Sequence, residues 1–177
     1  MGKLSDFGFI NEGSGGGGNT FAPYYGSFYD TTTQTCTSGS IKAMKLNTTD
    51  ATSTSGFVIQ NNTLGEPTRI KASFQGVYSL EFSAQLFRIT AGGTKQCTIW
   101  IRKNEVDVPT TATLITIQAS IDYFVASWNF FINLNAGQYV EIMWTQNDSI
   151  TIEYVAEDLV TPHPATPSVI ATIQKIN

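Results

Sequence analysis

The sequence is poor in charge. Ten basic and fourteen acidic side chains make up 14% of 177 residues, against roughly 25% in an average soluble domain. Cysteine is scarce (Cys36 and Cys97), there is one histidine, His163, and uninterrupted apolar runs are short, such as Phe130-Phe131-Ile132. Each shortage excludes something. Too little Ala, Leu, Glu, Lys and Arg argues against a helical bundle or coiled coil. A pI near 4.8 leaves no basic footprint for a phosphate backbone, so no nucleic-acid partner is expected. Short apolar runs cannot span a bilayer as a helix, so no membrane insertion is expected. Two cysteines do not make a disulfide scaffold and read as reduced thiols. Leu4-Ser5-Asp6-Phe7-Gly8 after Lys3 is too polar for the core of a secretory signal.

What is present favours strands. Threonine numbers 24, as many as all charges together, and aromatics reach 12% with a net charge of only -4. Branched and aromatic side chains in this abundance exclude disorder and suit pleated sheets. Residues 1–22 differ. They contain Gly13-Ser14-Gly15-Gly16-Gly17-Gly18, a low-complexity stretch expected to form an N-terminal arm outside the core. It lacks the Lys-Ser/Thr that a phosphate-cradling loop requires, since Asn19-Thr20 follow.

From residue 23 to 177 the pattern is one domain of strand after strand with turn residues between. Strands are expected over 24–31, 41–46, 56–60, 68–72, 76–89, 96–102, 113–121, 124–134, 138–145, 149–155 and 168–176. In 76–89, Tyr78, Leu80, Phe82, Ala84 and Leu86 share one face. In 124–134 Phe124, Ala126, Trp128, Phe130, Ile132 and Leu134 do the same, and Asn135-Ala136-Gly137 makes a turn into Val140, Ile142 and Trp144. No segment holds a helical period. Short connections imply antiparallel pairing in an all-β sandwich or barrel.

Core burial explains one face of each strand. The second faces of 123–134 and 138–145 carry Tyr123, Val125, Phe131, Tyr139 and Met143. On consecutive strands these are expected to lie close together as one apolar patch. Monomers rarely expose such a patch, and interface centres favour Tyr, Phe and Met over charge. These five residues are therefore the candidate subunit interface. The alternative is that loops or residues 1–22 fold over them.

Three segments carry a resemblance. Gly76-Val77-Tyr78-Ser79-Leu80-Glu81-Phe82 resembles the central "Gly-x-Tyr-x-Phe" strand of the complement-subcomponent globular head, a relative of tumour necrosis factor. Ile99-Trp100-Ile101-Arg102-Lys103-Asn104 resembles that family's strand ending in a Lys-Asn turn. Leu134-Asn135-Ala136-Gly137-Gln138-Tyr139-Val140 resembles its "Leu-x-x-Gly-Asp-x-Val" hairpin. The order and spacing match over about residues 40–176. The resemblance implies an antiparallel jelly roll of about ten strands that assembles as a homotrimer. The chain departs from the family at Gln138, where an acidic residue is usual, and in its closing Pro167-Ser168-Val169-Ile170. Ca²⁺ sites and receptor specificity of animal members are therefore not carried over.

These departures are similar to tailed-bacteriophage virion proteins that borrow this jelly roll. That similarity implies a structural virion protein (fibre, tail or capsid decoration) whose arm, 1–22, docks on other virion proteins while a trimeric head faces outward, where it can contact the host surface. It also implies a location in the particle, assembled in the host cytoplasm. A second reading is a dedicated module for a host-surface glycan or receptor protein. Its candidate loops are 61–67 and 156–167, with Asn61, Asn62, Glu66, Asp158 and His163 as contacts. A third reading is a polysaccharide hydrolase, which would need Glu105/Asp107 or Glu157/Asp158 to face another carboxylate. No catalytic constellation is expected. His163, in Pro162-His163-Pro164, reads as an exposed loop residue, and one His with two distant Cys cannot make a typical zinc site. No cofactor or metal is expected, and the protein is not expected to be an enzyme.

Overall fold

The computed structural model describes residues 24–176 apart from 148. The expected arm, 1–22, lies outside the described residues. The expected alternation condenses into two antiparallel sheets. In the first, β7 (Gly76–Arg88) is the spine. Along one side it pairs with β11 (Tyr123–Leu134) without a break, from Tyr123↔Phe87 to Leu134↔Gly76. Along the other side it pairs end to end with β13 (Ile150–Ile152) and β14 (Val169–Lys175). β1 (Tyr25–Asp30) follows β14, β4 (Thr48–Thr49) follows β1, and β2 (Gln34–Thr35) flanks β13.

The second sheet runs β10 (Thr113–Ile117), β8 (Lys95–Lys103), β12 (Tyr139–Gln146), β6 (Pro67–Ala72), β5 (Phe57–Asn61). β3 (Ile41–Ala43) also lies on β12, and β9 (Val106–Asp107) on β8. Among the described residues there is no α-helix, only a 3₁₀ turn at Ala51–Ser53 capped by Asp50, whose Oδ1 accepts from the Thr52 N–H at 3.0 Å. No helix among them is long and apolar enough to cross a membrane.

Period-two burial produces the core. Tyr78, Leu80, Phe82, Ala84 and Leu86 from β7 meet Ile99, Ile101, Val140, Ile142 and Trp144 from the second sheet, all buried. β2, β4 and β9 escape sequence reading because two residues cannot display an alternation. The expected strand over 41–46 stops at Ala43, although the chain stays in the sandwich. Met44 N–H bonds Ile142 O at 2.8 Å, Lys45 N–H bonds Gln34 Oε1 at 2.8 Å, and Leu46 N–H bonds Pro67 O at 2.8 Å. The expected strand over 113–121 stops at Ile117. The next carbonyls turn to buried Arg88, whose guanidinium donates to Gln118 O and Ala119 O.

Both cysteines are free and buried. Burial pushes the Cys97 thiol up to about 12 from 9.0. Between those values the unfolded chain releases its proton while the folded chain keeps it. This stabilising contribution is thus complete below pH 9 and lost as pH rises towards 12. Tyr139, pushed to about 12 from 10.0 chiefly by burial, adds to the same decline in its upper part. Denaturant titrations across this range should show stability falling with pH, and falling less in Cys97→Val. An identical slope in the variant would remove Cys97 as a cause.

Candidate subunit interface

β11 becomes a strand because aromatic and branched residues dominate Tyr-Phe-Val-Ala-Ser-Trp-Asn-Phe-Phe-Ile-Asn-Leu. Its inward residues pack on β7. Phe82 meets Trp128 edge-on at 4.8 Å between ring centroids and stacks on Phe130 at 6.4 Å. Its outward residues leave Tyr123 55%, Val125 53% and Phe131 70% exposed. Tyr123 packs on Phe87 at 4.7 Å, and a hydrogen bond to Glu153 raises its pKa.

Two features make this side of the molecule unusual for a monomer. First, β7 covers only one edge of β11, and among the described residues no strand pairs with the other. Proteins protect long edges with Pro, Lys or bulges. β11 has no Pro, no charged residue and no break in register. Second, the outer face of the first sheet is nearly uncharged. Of the outward residues on β1, β14, β7 and β11, Glu81 alone carries a charge. Around it lie Ser27, Ser79, Thr172 and Gln174, which with Tyr25 line a depression of about 390 Å³. Ser83, Ser127 and Ile170 line an adjoining one of about 270 Å³. At the free edge an apolar groove of about 290 Å³ opens between Phe130, Phe131 and Ile132 of β11 and Val106, Val108 and Pro109.

The five interface residues expected from sequence do not form one patch. Tyr123, Val125 and Phe131 share the outer face of β11, but Tyr139 and Met143 belong to the second sheet. The turn between β11 and β12 crosses the sandwich instead of closing a hairpin. It is pinned to β6, where Gly137 N–H bonds Ala72 O at 2.8 Å and Ala72 N–H bonds Gln138 O at 2.9 Å. Met143 is 3% exposed, between its register partners Trp100 and Ala43, so it presents no surface. Tyr139 is half-buried beneath the Arg69 guanidinium, 4.4 Å from its ring centre, and its hydroxyl donates to Glu105 Oε1 at 2.9 Å.

That outer face of the second sheet is covered by its own side chains. Arg69 pairs with Glu105 and lies 3.6 Å from buried Glu141, which accepts from Thr68 Oγ1 at 2.6 Å. Asp107 accepts from Trp100 Nε1 and Arg102 Nε, both at 2.8 Å, and the Arg102 bond above all holds its carboxyl below the usual range. Glu105 and Asp107, the pair considered for hydrolysis, are thus tied to separate cations. Among the described residues no three His, Cys, Asp or Glu side chains gather into a metal-binding group.

Asn61 ends β5 opposite Pro67, and Asn62 and Glu66 lie in the turn between β5 and β6. The polar groups of Asn62 and Glu66 serve the turn: Asn62 Oδ1 accepts from Leu64 N–H and Glu66 N–H, and Asn62 Nδ2 donates to Glu66 Oε2. Asp158 and His163 lie in the excursion between β13 and β14. There they bridge each other through backbone bonds of 3.2 Å in both directions. Asp158 Oδ1 accepts from Val160 N–H at 2.7 Å and Oδ2 from Thr161 Oγ1 at 2.5 Å, and the Thr161 bond above all lowers its pKa. The excursion is therefore a built finger, and its tip residues Leu159 and Val160 stand 85% and 92% exposed. Sequence reading missed them by attending to the polar residues of the loop.

No protein-family model matches the sequence, and comparison with curated proteins gives no match. Solved structures do resemble the fold. The structure of Eiger TNF from S. frugiperda superposes with a TM-score of 0.56 at 10% identity, covering 88% of this chain and 93% of that one. Murine APRIL at pH 5.0 superposes with a TM-score of 0.51 at 10% identity, covering 88% of this chain and all of that one. At this identity the likeness establishes the fold, a tumour-necrosis-factor-like jelly roll, and nothing further.

Proposed function

We propose that this jelly roll is a structural subunit that works as an assembled homotrimer, and that its setting is the particle of a tailed bacteriophage as a fibre, tail or decoration component. One observation carries the assembly: β11 offers an edge that no described strand covers, with Lys103 Nζ capping Asn133 O at 3.2 Å near one end, beside an almost uncharged sheet face. A covered edge needs neither Lys nor Pro, and a covered face needs few charges. The low charge of the whole chain fits the same reading. The virion setting rests on the resemblance of the sequence, with its Gly-rich N-terminal segment and closing Pro-Ser-Val-Ile, to phage proteins of this fold. In this reading residues 1–22 attach the subunit to other virion proteins, and the protein catalyses nothing.

Light scattering or mass photometry on the full chain should give a mass near three times 19.3 kDa at micromolar concentration. Removing residues 1–22 should leave that mass per subunit ratio unchanged and abolish incorporation into particles. A stable monomer of the full chain at micromolar concentration would refute the assembly. Unimpaired incorporation of the truncated chain would refute attachment through 1–22.

A further inference from the structure

We infer that the finger between β13 and β14 is the knob of a subunit contact, and that Leu159 and Val160 seat in the apolar groove beside β11 of a second copy. The inference rests on the assembly reading above and identifies which elements meet. The finger is stiffened before any partner arrives. Asp158 holds the turn through Val160 N–H and Thr161 Oγ1, and the Asp158↔His163 and Val155↔Thr166 bridges close its stem. A preformed loop loses little conformational freedom on docking. Two aliphatic side chains held at 85% and 92% exposure on such a loop are suited to an apolar cavity.

The groove is that cavity. It measures about 290 Å³ and is walled by Val106, Val108, Pro109 and Phe131, with Phe131 itself 70% exposed. Charge agrees with shape. Glu157 and Asp158 flank the knob, while Lys103 lines the groove and its neighbour Asp107 is already paired with Arg102.

The finger cannot fill the groove of its own chain. It leaves the sheet beside Gln85, whose N–H bonds Ser168 O and whose carbonyl accepts from Glu153 N–H. The groove lies at the level of Ser79, the register partner of Phe131. Six strand residues separate the two levels, roughly 20 Å at about 3.4 Å per residue. β7 also stands between them, since the finger is rooted on the β13/β14 side and the groove on the β11 side. Knob and hole on opposite flanks make a head-to-tail contact, which closes into a ring when the rotation between copies allows it.

Cysteine cross-linking of the full chain tests this. Val160→Cys and Val106→Cys change side chains that are 92% and 68% exposed, so both variants should fold. Oxidation of an equimolar mixture should give a disulfide-linked pair that neither variant gives alone. Separately, Leu159→Asp with Val160→Asp should raise the concentration needed for assembly at least tenfold. An assembled wild type with no mixed cross-link, or one that L159D/V160D leaves unchanged, would overturn the knob-and-groove contact while leaving assembly intact. Cross-linking by Val160→Cys alone would overturn it too, because a head-to-tail contact keeps the knobs apart. A monomeric wild type would remove both inferences together.

Discussion

Phe131→Asp should convert the assembled protein to monomer without unfolding it. In the isolated subunit the side chain is 70% exposed on β11, so an aspartate there meets water. In the assembly the same aspartate is buried; Lys103 lines the same groove but its ammonium is held by Asn133 O at 3.2 Å, and none of the outward residues on β1, β7, β11 and β14 offers another cation. An unpaired buried charge costs several kcal/mol, and each 1.4 kcal/mol is about tenfold in affinity. Every subunit of a homotrimer contributes the defect, so the concentration for assembly should rise at least a hundredfold. Circular dichroism and thermal melting of the monomer establish that the fold is intact, and sedimentation reads the mass. Val58→Asp, 53% exposed on β5 of the second sheet, serves as the control and should assemble like wild type. Wild-type assembly of Phe131→Asp would mean that the β11 face is not the interface.

Arg69→Leu should be among the most destabilising single changes in the described chain. Arg69 holds three partners: Glu105 in an ion pair, the Tyr139 ring beneath its guanidinium, and Glu141 at 3.6 Å. Glu105 is exposed and recovers water, so that pair contributes little. Glu141 is 4% exposed and does not. It keeps the Thr68 hydroxyl at 2.6 Å, which cannot offset a full buried charge, and Arg102, its register partner on β8, is already paired with Asp107. Breaking a buried pair from one side costs about 3–5 kcal/mol, a large share of the roughly 5–15 kcal/mol that holds a domain folded. The double change Arg69→Leu with Glu141→Gln should recover most of the loss, since the amide keeps the Thr68 contact without the charge. Urea denaturation of the three variants decides it. If the double variant is no better than Arg69→Leu, the loss comes from packing of the guanidinium over Tyr139 instead.

Strands and core were legible in the sequence because period-two burial is a local signal. Tyr78, Leu80 and Phe82 announce the β7 face, and Ala126 to Leu134 the β11 face, with no knowledge of partners. The interface was legible only in part, and Met143 shows why. Its exposure depends on Trp100 and Ala43, brought beside it from strands distant in sequence. Whether Asn135-Ala136-Gly137 closes a hairpin or crosses between sheets depends on the bonds to Ala72 in the same way. The turn residues suit either outcome. The unpaired edge of β11 left one mark in the sequence, the lack of any charge from Tyr123 to Leu134.

The pairing of β1 with β14 bears on biosynthesis. Tyr25 sits opposite Gln174 and Asp30 opposite Val169, so one of the first described strands finds its ladder partner only after Val169–Gln174 have been made. At about 5–20 residues per second, a ribosome leaves Tyr25–Asp30 waiting on the order of seven to thirty seconds. During that interval Phe28, fully buried in the finished molecule, has no core to enter. Non-local closure of this kind slows folding and exposes nascent chains to aggregation. Yield in the cell should therefore depend on temperature and chaperone supply more steeply than the stability of the finished sandwich would indicate.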